Sequence, residues 1–263
     1  MTKKLLLLST GGTIASVVSD EGLAPGESGE ELIKMLGRLE YDITVRDILE
    51  LDSSNIQPEE WKIIAEAIYD HRNEYDGIVV SHGTDTMAYT ASMLTFMLQH
   101  INIPVVLTGS QVPMNVILSD APDNLRLAFA AAANCEPGVY IAFNRKVMRG
   151  CRSVKVRTTA FDAFESVNVP PVGEVTSDGF SIRDHRHPQP GKSQLNTKID
   201  THVSLVKLFP GFDPALLHAM AKNGCHGIVI EAYGLGGMTS IRRNMVAAVG
   251  ELIRNGIPII TSS

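Results

Sequence analysis

Lys4-Leu5-Leu6-Leu7-Leu8-Ser9-Thr10-Gly11-Gly12-Thr13 carries an apolar run that stops on small hydroxyl residues and paired glycines. Four leucines in a row leave no polar face, as in a strand covered on both sides by helices. The glycines then let the backbone turn and approach a neighbour closely. The same order returns at Gly77–Val80 before Ser81-His82-Gly83-Thr84-Asp85-Thr86, and at Val105–Leu107 before Thr108-Gly109-Ser110. Further apolar runs at Val139–Ala142, Val203–Leu208, Ile228–Ile230 and Ile257–Ile260 complete the expected strands. Between them lie stretches of helical length: Glu30–Leu39, Pro58–His71, Thr86–Gln99, Ala121–Asn134, Pro214–Asn223 and Arg242–Asn255. Pro58 suits a first helical position, and Asp213 suits a cap before Pro214. Strands alternating with helices predict an α/β fold built on a parallel sheet with helices on both faces.

At 263 residues the chain exceeds one average domain, so one large or two unequal domains are expected. Periodicity fails from Ser177 to Asp200, the pattern of a linker. It separates a larger N-terminal domain, residues 1–176, of flavodoxin-like or Rossmann-like layering, from a smaller α/β domain, residues 201–263. The strand Ile257–Ile260 should feed another helix, so the smaller domain is expected to be incomplete at Ser263.

Apolar residues make up 44% of the chain and charged ones 20%, which fits a globular protein and argues against disorder. The net charge of −6 lacks the basic excess of a nucleic-acid binder, and no nucleic-acid partner is expected. No stretch approaches the ~18 apolar residues of a membrane span, and Leu5–Leu8 is too short for a secretion signal. Cys135, Cys151 and Cys225 are odd in number and far apart, which suits a reducing compartment and indicates neither disulfides nor a zinc site. A soluble, cytoplasmic protein is expected.

Ligands of open parallel sheets bind beyond the carboxyl ends of the strands. The three Gly- and hydroxyl-rich segments converge there, where backbone amides can serve an anion or oxyanion. Any one of them alone would be an ordinary turn before a helix. A dinucleotide fingerprint is absent after the first strand, and Gly234-Leu235-Gly236-Gly237 matches it only in part. Gly191-Lys192-Ser193 lacks the P-loop glycine, since Arg186 stands in its place. Neither a serine-hydrolase elbow nor a zinc-protease motif occurs. His185 and His187, in a polar segment, fit solvated side chains better than a metal site. Lys155, in the alternating Ser153-Val154-Lys155-Val156-Arg157, reads by pattern alone as a solvated strand residue. Asp85 reads as a helix-dipole partner, and Asp52-Ser53-Ser54-Asn55 as a turn leading into the helix at Pro58.

Taken together, Thr10-Gly11-Gly12-Thr13-Ile14-Ala15, Asp52-Ser53-Ser54, His82-Gly83-Thr84-Asp85-Thr86-Met87-Ala88, Thr108-Gly109-Ser110-Gln111 and Phe161-Asp162-Ala163-Phe164 resemble bacterial L-asparaginases of the cytoplasmic type I kind. The similarity runs in order over the whole chain. The resemblance implies hydrolysis of L-asparagine, and more weakly of L-glutamine, in a two-domain α/β enzyme that needs no cofactor or metal. It implies a homodimer or homotetramer, with the loop Tyr233-Gly234-Leu235-Gly236-Gly237 closing a partner's pocket.

By the same resemblance Thr13 is the nucleophile, and Thr84, Asp85 and Lys155 are the second threonine with its acidic and basic partners. Asp52 and Ser53, with Thr84 and Asp85, hold the substrate, and backbone at Gly12 and Thr84 serves the oxyanion. The flap Glu21-Gly22-Leu23-Ala24-Pro25-Gly26 departs from the family, with Leu23 where many members place a tyrosine. Two other classes stay open: a non-catalytic module binding asparagine or aspartate, and an amidotransferase subunit supplying ammonia to a partner.

Overall fold

The computed structural model describes residues 2–19, 22–184 and 191–263; His185 and His187 lie outside them. The chain divides into two compact units, Met1–Thr197 and Lys198–Ser263.

In the first unit the strands are β1 (Lys4–Gly11), β2 (Ser16–Ser19), β3 (Gly22–Pro25), β4 (Asp42–Leu51), β5 (Gly77–Ser81), β6 (Leu98–Gln99), β7 (Pro104–Thr108), β8 (Gly138–Phe143) and β9 (Lys146–Arg149). They are followed by β10 (Ser153–Lys155), β11 (Phe164–Ser166), β12 (Gly173–Thr176), β13 (Gly179–Ile182) and β14 (Gln194–Leu195). The helices are α1 (Gly29–Leu36), α2 (Pro58–His71), α3 (Met87–Met97) and α4 (Ala121–Asn134). Eight strands form one sheet in the order β13-β12-β9-β8-β7-β5-β1-β4. From β4 to β8 all neighbours are parallel, and β9, β12 and β13 extend the sheet antiparallel. The α/β class expected from the alternation is what the chain forms.

Leu5 to Leu8 are all fully buried, and burying each contributes about 2 kcal/mol. Leu5 and Leu7 join Val79, Val106, Leu32 of α1 and Leu125, Ala128 and Phe129 of α4 in one core layer. Leu6 and Leu8 point to the other side by strand alternation. The helices start where side chains can satisfy their free N–H groups. Ser28 and Glu31 form a reciprocal capping box on α1, and the Glu60 carboxylate accepts the Gln57 N–H ahead of Pro58 on α2.

The structure adds to the expected elements. β4 is not among the strands that apolar runs predict, because it is the sheet's edge. Ile43 and Val45 pack on the core there, while Asp42, Arg46, Asp47 and Glu50 interleave with the half-buried apolar residues. Part of the segment expected to link the units is paired into the first one: β13 forms a hairpin with β12, and β14 pairs with β6. The Asp178-Gly179 dipeptide that reads as a linker is a hairpin turn, with Gly179 at φ +99°.

The second unit holds β15 (Val203–Lys207), α5 (Ala215–Lys222), β16 (Gly227–Glu231), α6 (Met245–Arg254) and β17 (Ile259–Ser262). Its three strands are parallel in the order β15-β16-β17. Asp213 accepts the Ala215 N–H at 3.0 Å, capping α5. Val206, Leu217, Ile228, Ile230 and Leu252 form its core.

Candidate active site

In the large sheet β1 lies between β4 and β5, so the chain moves from β1 to β4 on one side and then crosses back to β5 on the other. That reversal creates a crevice at the carboxyl ends of β1 and β5, where ligands of such sheets bind. Thr13 follows β1, and Thr84 and Asp85 follow β5. β4 runs parallel to β1, and its end delivers Asp52 and Ser53 to the same edge.

Backbone contact brings the two loops together. Gly12 sits at φ +82°, and a Cβ placed there would lie 2.4 Å from the Gly83 nitrogen. Gly83 in turn lies against Ser53, whose Oγ would be 2.6 Å from a Cβ on Gly83. No side chain larger than hydrogen fits at either position without moving backbone. Ser53 is buried and binds the second loop twice: its Oγ accepts the Asp85 N–H at 3.2 Å, and its carbonyl accepts the Thr86 hydroxyl at 2.7 Å.

Around Thr84 the side chains form a connected set. Lys155 Nζ donates to Thr84 Oγ1 at 2.8 Å and lies 2.7 Å from Asp85 Oδ1. The Lys155 side chain is only 16% exposed, so it is drawn inward rather than solvated as the bare alternation suggests. The short β10–β11 ladder, which pairs Lys155 with Phe164, fixes its backbone. Thr84 Oγ1 donates onward to Gln111 Oε1 at 3.2 Å. Gln111 is itself oriented, because its Nε2 donates to the carbonyls of Thr158 and Ala160. Sequence reading assigns Gln111 no role, although it directly follows the third Gly-containing turn.

Beneath this loop runs a buried chain that sequence reading also misses. His82 Nδ1 lies 2.7 Å from the Gly83 carbonyl; a carbonyl only accepts, so Nδ1 carries the proton. Its Nε2 then accepts from Thr90 Oγ1 at 2.9 Å, and Thr90 Oγ1 accepts from Trp61 Nε1 at 3.0 Å. Full burial pushes the His82 pKa down to about 4, so the ring is neutral near pH 7. No spacing rule joins Trp61, His82 and Thr90, which come from α2, the loop after β5, and α3.

Thr13 opens a single 3-10 turn, Thr13–Ala15, and the Ser16 hydroxyl ties that turn to the Gly12 carbonyl at 3.0 Å. Gly12, Thr13 and Asp52 line a cavity of about 270 Å³, and Asp85 and Lys155 line another of about 360 Å³. The structure thus brings Thr84, Asp85, Lys155 and Ser53 into direct contact. It joins Thr13 to them through the Gly12–Gly83 backbone. The Asp52 carboxylate accepts the Ser54 N–H at 2.8 Å and the Ser54 hydroxyl at 2.5 Å, both through Oδ1. Those bonds, the hydroxyl first, hold its pKa below the usual carboxylate value. The Leu23 backbone pairs with Val18 in the β2–β3 hairpin that follows the turn.

Comparison with known proteins gives a consistent picture. The model of the asparaginase N-terminal domain matches residues 4–188, and that of the glutaminase/asparaginase C-terminal domain matches residues 202–263. The L-asparaginase of Thermococcus kodakarensis is 42% identical over 262 residues, covering 98% of this chain and 80% of that protein. A solved structure of the thermostable L-asparaginase from that organism superposes with a TM-score of 0.91 at 42% identity, covering 98% of this chain and 79% of the other. L-asparaginase 1 of Escherichia coli K12 is 38% identical over 245 residues, 89% of this chain and 72% of that one. A glutamyl-tRNA(Gln) amidotransferase subunit of Methanopyrus kandleri is 34% identical over 98% of this chain, which spans 60% of that protein.

Proposed function

The chain belongs to the asparaginase family, and on that premise we propose that it hydrolyses L-asparagine to L-aspartate and ammonia through an acyl-enzyme on a threonine. The observation that carries the reading is the contact of Lys155 Nζ with both Thr84 Oγ1 and Asp85, on a loop pressed against Gly12. Water needs a base beside it to attack an ester at neutral pH, and the amine 2.8 Å from Thr84 Oγ1 supplies one when it is neutral.

In the proposed sequence Thr13 Oγ1 attacks the side-chain amide carbon, the C–N bond breaks, and ammonia leaves with the proton the hydroxyl gave up. Water at Thr84 then attacks the ester. Neutral Lys155 takes a proton from that water through the Thr84 hydroxyl, the ester C–O bond to Thr13 breaks, and the same proton returns to the Thr13 oxygen, which leaves Lys155 neutral again. Backbone amides of the Gly12 and Thr84 loops stabilise the oxyanion in both steps. Asp85 and Asp52 face the substrate's ammonium; among the described residues Asp52 is held through Oδ1 alone, which leaves Oδ2 for that contact. Ser53 positions the Thr84 loop and receives the other charged end. None of these steps calls for a metal or an organic cofactor.

The reading extends to a type I, cytoplasmic enzyme whose catalytic part is the N-terminal domain, with residues 177–200 leading to the smaller one. Among the described residues no helix is long and apolar enough to cross a membrane. A homodimer or homotetramer fits the solvent-exposed Leu118, Leu235 and Ile241. Equilibrium sedimentation tests this assembly, which a fully active monomer would contradict.

A second reading, an ammonia-supplying component of an amidotransferase, is favoured by the identity to the Methanopyrus kandleri protein. Ammonia release from free L-asparagine by the isolated chain separates the two. Turnover supports the asparaginase, and a preference for asparagine of roughly 10–200-fold over glutamine is expected from one methylene. Silence until an amidotransferase partner is added supports the second reading.

A further inference from the structure

We propose that Asp200, His202 and His226, all in the second unit, form a binding site for one divalent transition-metal ion of the zinc kind. The site is independent of the amide chemistry.

The backbone sets up the pair of histidines. β15 and β16 run parallel with Val203 opposite Gly227, and one residue earlier the His226 N–H donates to the His202 carbonyl at 2.7 Å. The two histidines therefore stand side by side on adjacent strands, with ring centroids 4.8 Å apart and planes tilted by 30°. Asp200 turns back over them, since its Oδ1 accepts the His202 N–H at 2.9 Å. Its Oδ2 lies 2.8 Å from His226 Nδ1, and its Oδ1 lies 3.5 Å from His202 Nδ1. One donor atom from each residue falls within 4.8 Å of the others.

Those separations match a coordination shell. With bonds of about 2.0–2.1 Å to nitrogen or oxygen, donors lie roughly 3.3 Å apart on a tetrahedron and roughly 2.9 Å apart on an octahedron. Each imidazole already lies at such a distance from one of the two Asp200 oxygens, His226 from Oδ2 and His202 from Oδ1, and rotation of the exposed side chains brings one donor of each residue onto a single ion. Two imidazoles with one carboxylate suit zinc, nickel or copper, whereas calcium and magnesium take oxygen shells. The side chains are half to two-thirds exposed, so water completes the coordination. On binding, the ion replaces the proton that His226 Nδ1 shares with Asp200 and ties the start of β15 to the start of β16.

The competing description is a hydrogen bond that closes the strand ends and binds nothing. Calorimetric titration of the metal-free full chain with zinc chloride distinguishes them, with cobalt(II) absorption reporting the ligand set. One saturable equivalent is expected, weakened at least tenfold in each of His202→Gln and His226→Gln. Asp200→Asn keeps an acceptor for the His202 N–H, so the fold persists, and the same weakening is expected from loss of the charged ligand. No saturable binding by the natural chain overturns the proposal. So does an affinity unchanged in the three variants, since the ion then sits elsewhere, for instance at exposed Cys151.

Discussion

The loops after β1 and β5 each present one threonine at the same sheet edge, yet they are held in different ways. Thr84 Oγ1 is fixed between the Lys155 amino group and an oriented amide acceptor, over a loop anchored from below by His82, Thr90 and Trp61. Among the described residues Thr13 Oγ1 has no hydrogen-bond partner, and its turn is secured by the Ser16 hydroxyl and by close packing of Gly12. A proton-transfer group must be preorganised, because its partner has to be in place before reaction. Thr13 has no such base of its own, so in the proposed sequence its proton passes to the departing ammonia, while water activation falls to Thr84 and Lys155.

The largest effects should come from breaking either side. Thr13→Ala and Thr84→Ala should each lower kcat on the order of 10³-fold or more, with little change in melting temperature, because each removes one small hydroxyl outside the core. Stopped-flow product analysis sharpens the contrast: Thr84→Ala should still release a first equivalent of ammonia, and Thr13→Ala none. Lys155→Met should follow Thr84→Ala. A Thr13→Ala enzyme that keeps the burst would reverse the two roles.

Next in size is the contact that joins the loops. Gly12→Ala adds a Cβ 2.4 Å from the Gly83 nitrogen at a backbone angle L-residues avoid. Relief requires moving backbone, so a loss of stability of about 2 kcal/mol or more is expected together with loss of turnover. Gly37→Ala is the control, since it also has positive φ but nothing lies within 4 Å. Urea unfolding of both variants measures how much of the Gly12 effect comes from loop contact rather than from φ alone.

How much of this is readable in the sequence depends on whether a contact follows strand geometry. The apolar runs at Leu5–Leu8 and Gly77–Val80 fix core strands and place Thr13 and Thr84 just beyond them, and α2 and α4 have the bounds their periodicity implies. β4 is illegible, because an edge strand with one half-buried face interleaves charge with its apolar residues. Lys155 is legible only as a candidate, since alternation gives its face of the strand and not what that face meets. The Trp61–Thr90–His82 chain and the Asp200–His202–His226 cluster are out of reach for a common reason. Each joins side chains from separate elements whose register only the folded chain fixes.

That buried chain offers a pH test of the same contrast, because only the β5 loop stands on an ionisable core residue. His82 is held neutral down to about pH 4, whereas its unfolded value is near 6.5. Between these values the unfolded chain binds a proton that the native chain refuses, so stability falls as pH falls. The loss is absent above about pH 6.5 and reaches about 3 kcal/mol near pH 4. His82→Gln retains polar partners for Gly83 and Thr90 but cannot take up that proton. Denaturant unfolding from pH 7 to 4.5 should therefore show a steeper decline for the natural chain than for the variant. Parallel curves would mean that His82 is not the buried neutral group beneath Thr84.

The smallest expected effect belongs to Asp85, and it tests whether the Thr84 cluster positions its own lysine or chiefly receives the substrate. The carboxylate lies 2.7 Å from Lys155 Nζ, but its side chain is 64% exposed, so the pair itself adds little to stability. Asp85→Asn preserves size and an acceptor oxygen for Lys155, and it removes the charge proposed to meet the substrate ammonium. If that charge serves binding, KM should rise about tenfold with kcat changed less, and the melting temperature should stay within a degree or two. If Asp85 instead acts through Lys155, kcat should fall while KM holds. The pH profile of kcat should then change as well, because the 2.7 Å ion pair that holds Lys155 Nζ beside Thr84 is gone. Steady-state kinetics on asparagine across pH 6 to 9 decides between them. A variant with unchanged KM, kcat and pH profile would remove Asp85 from the site and leave Thr84, Lys155 and Gln111 as its working set.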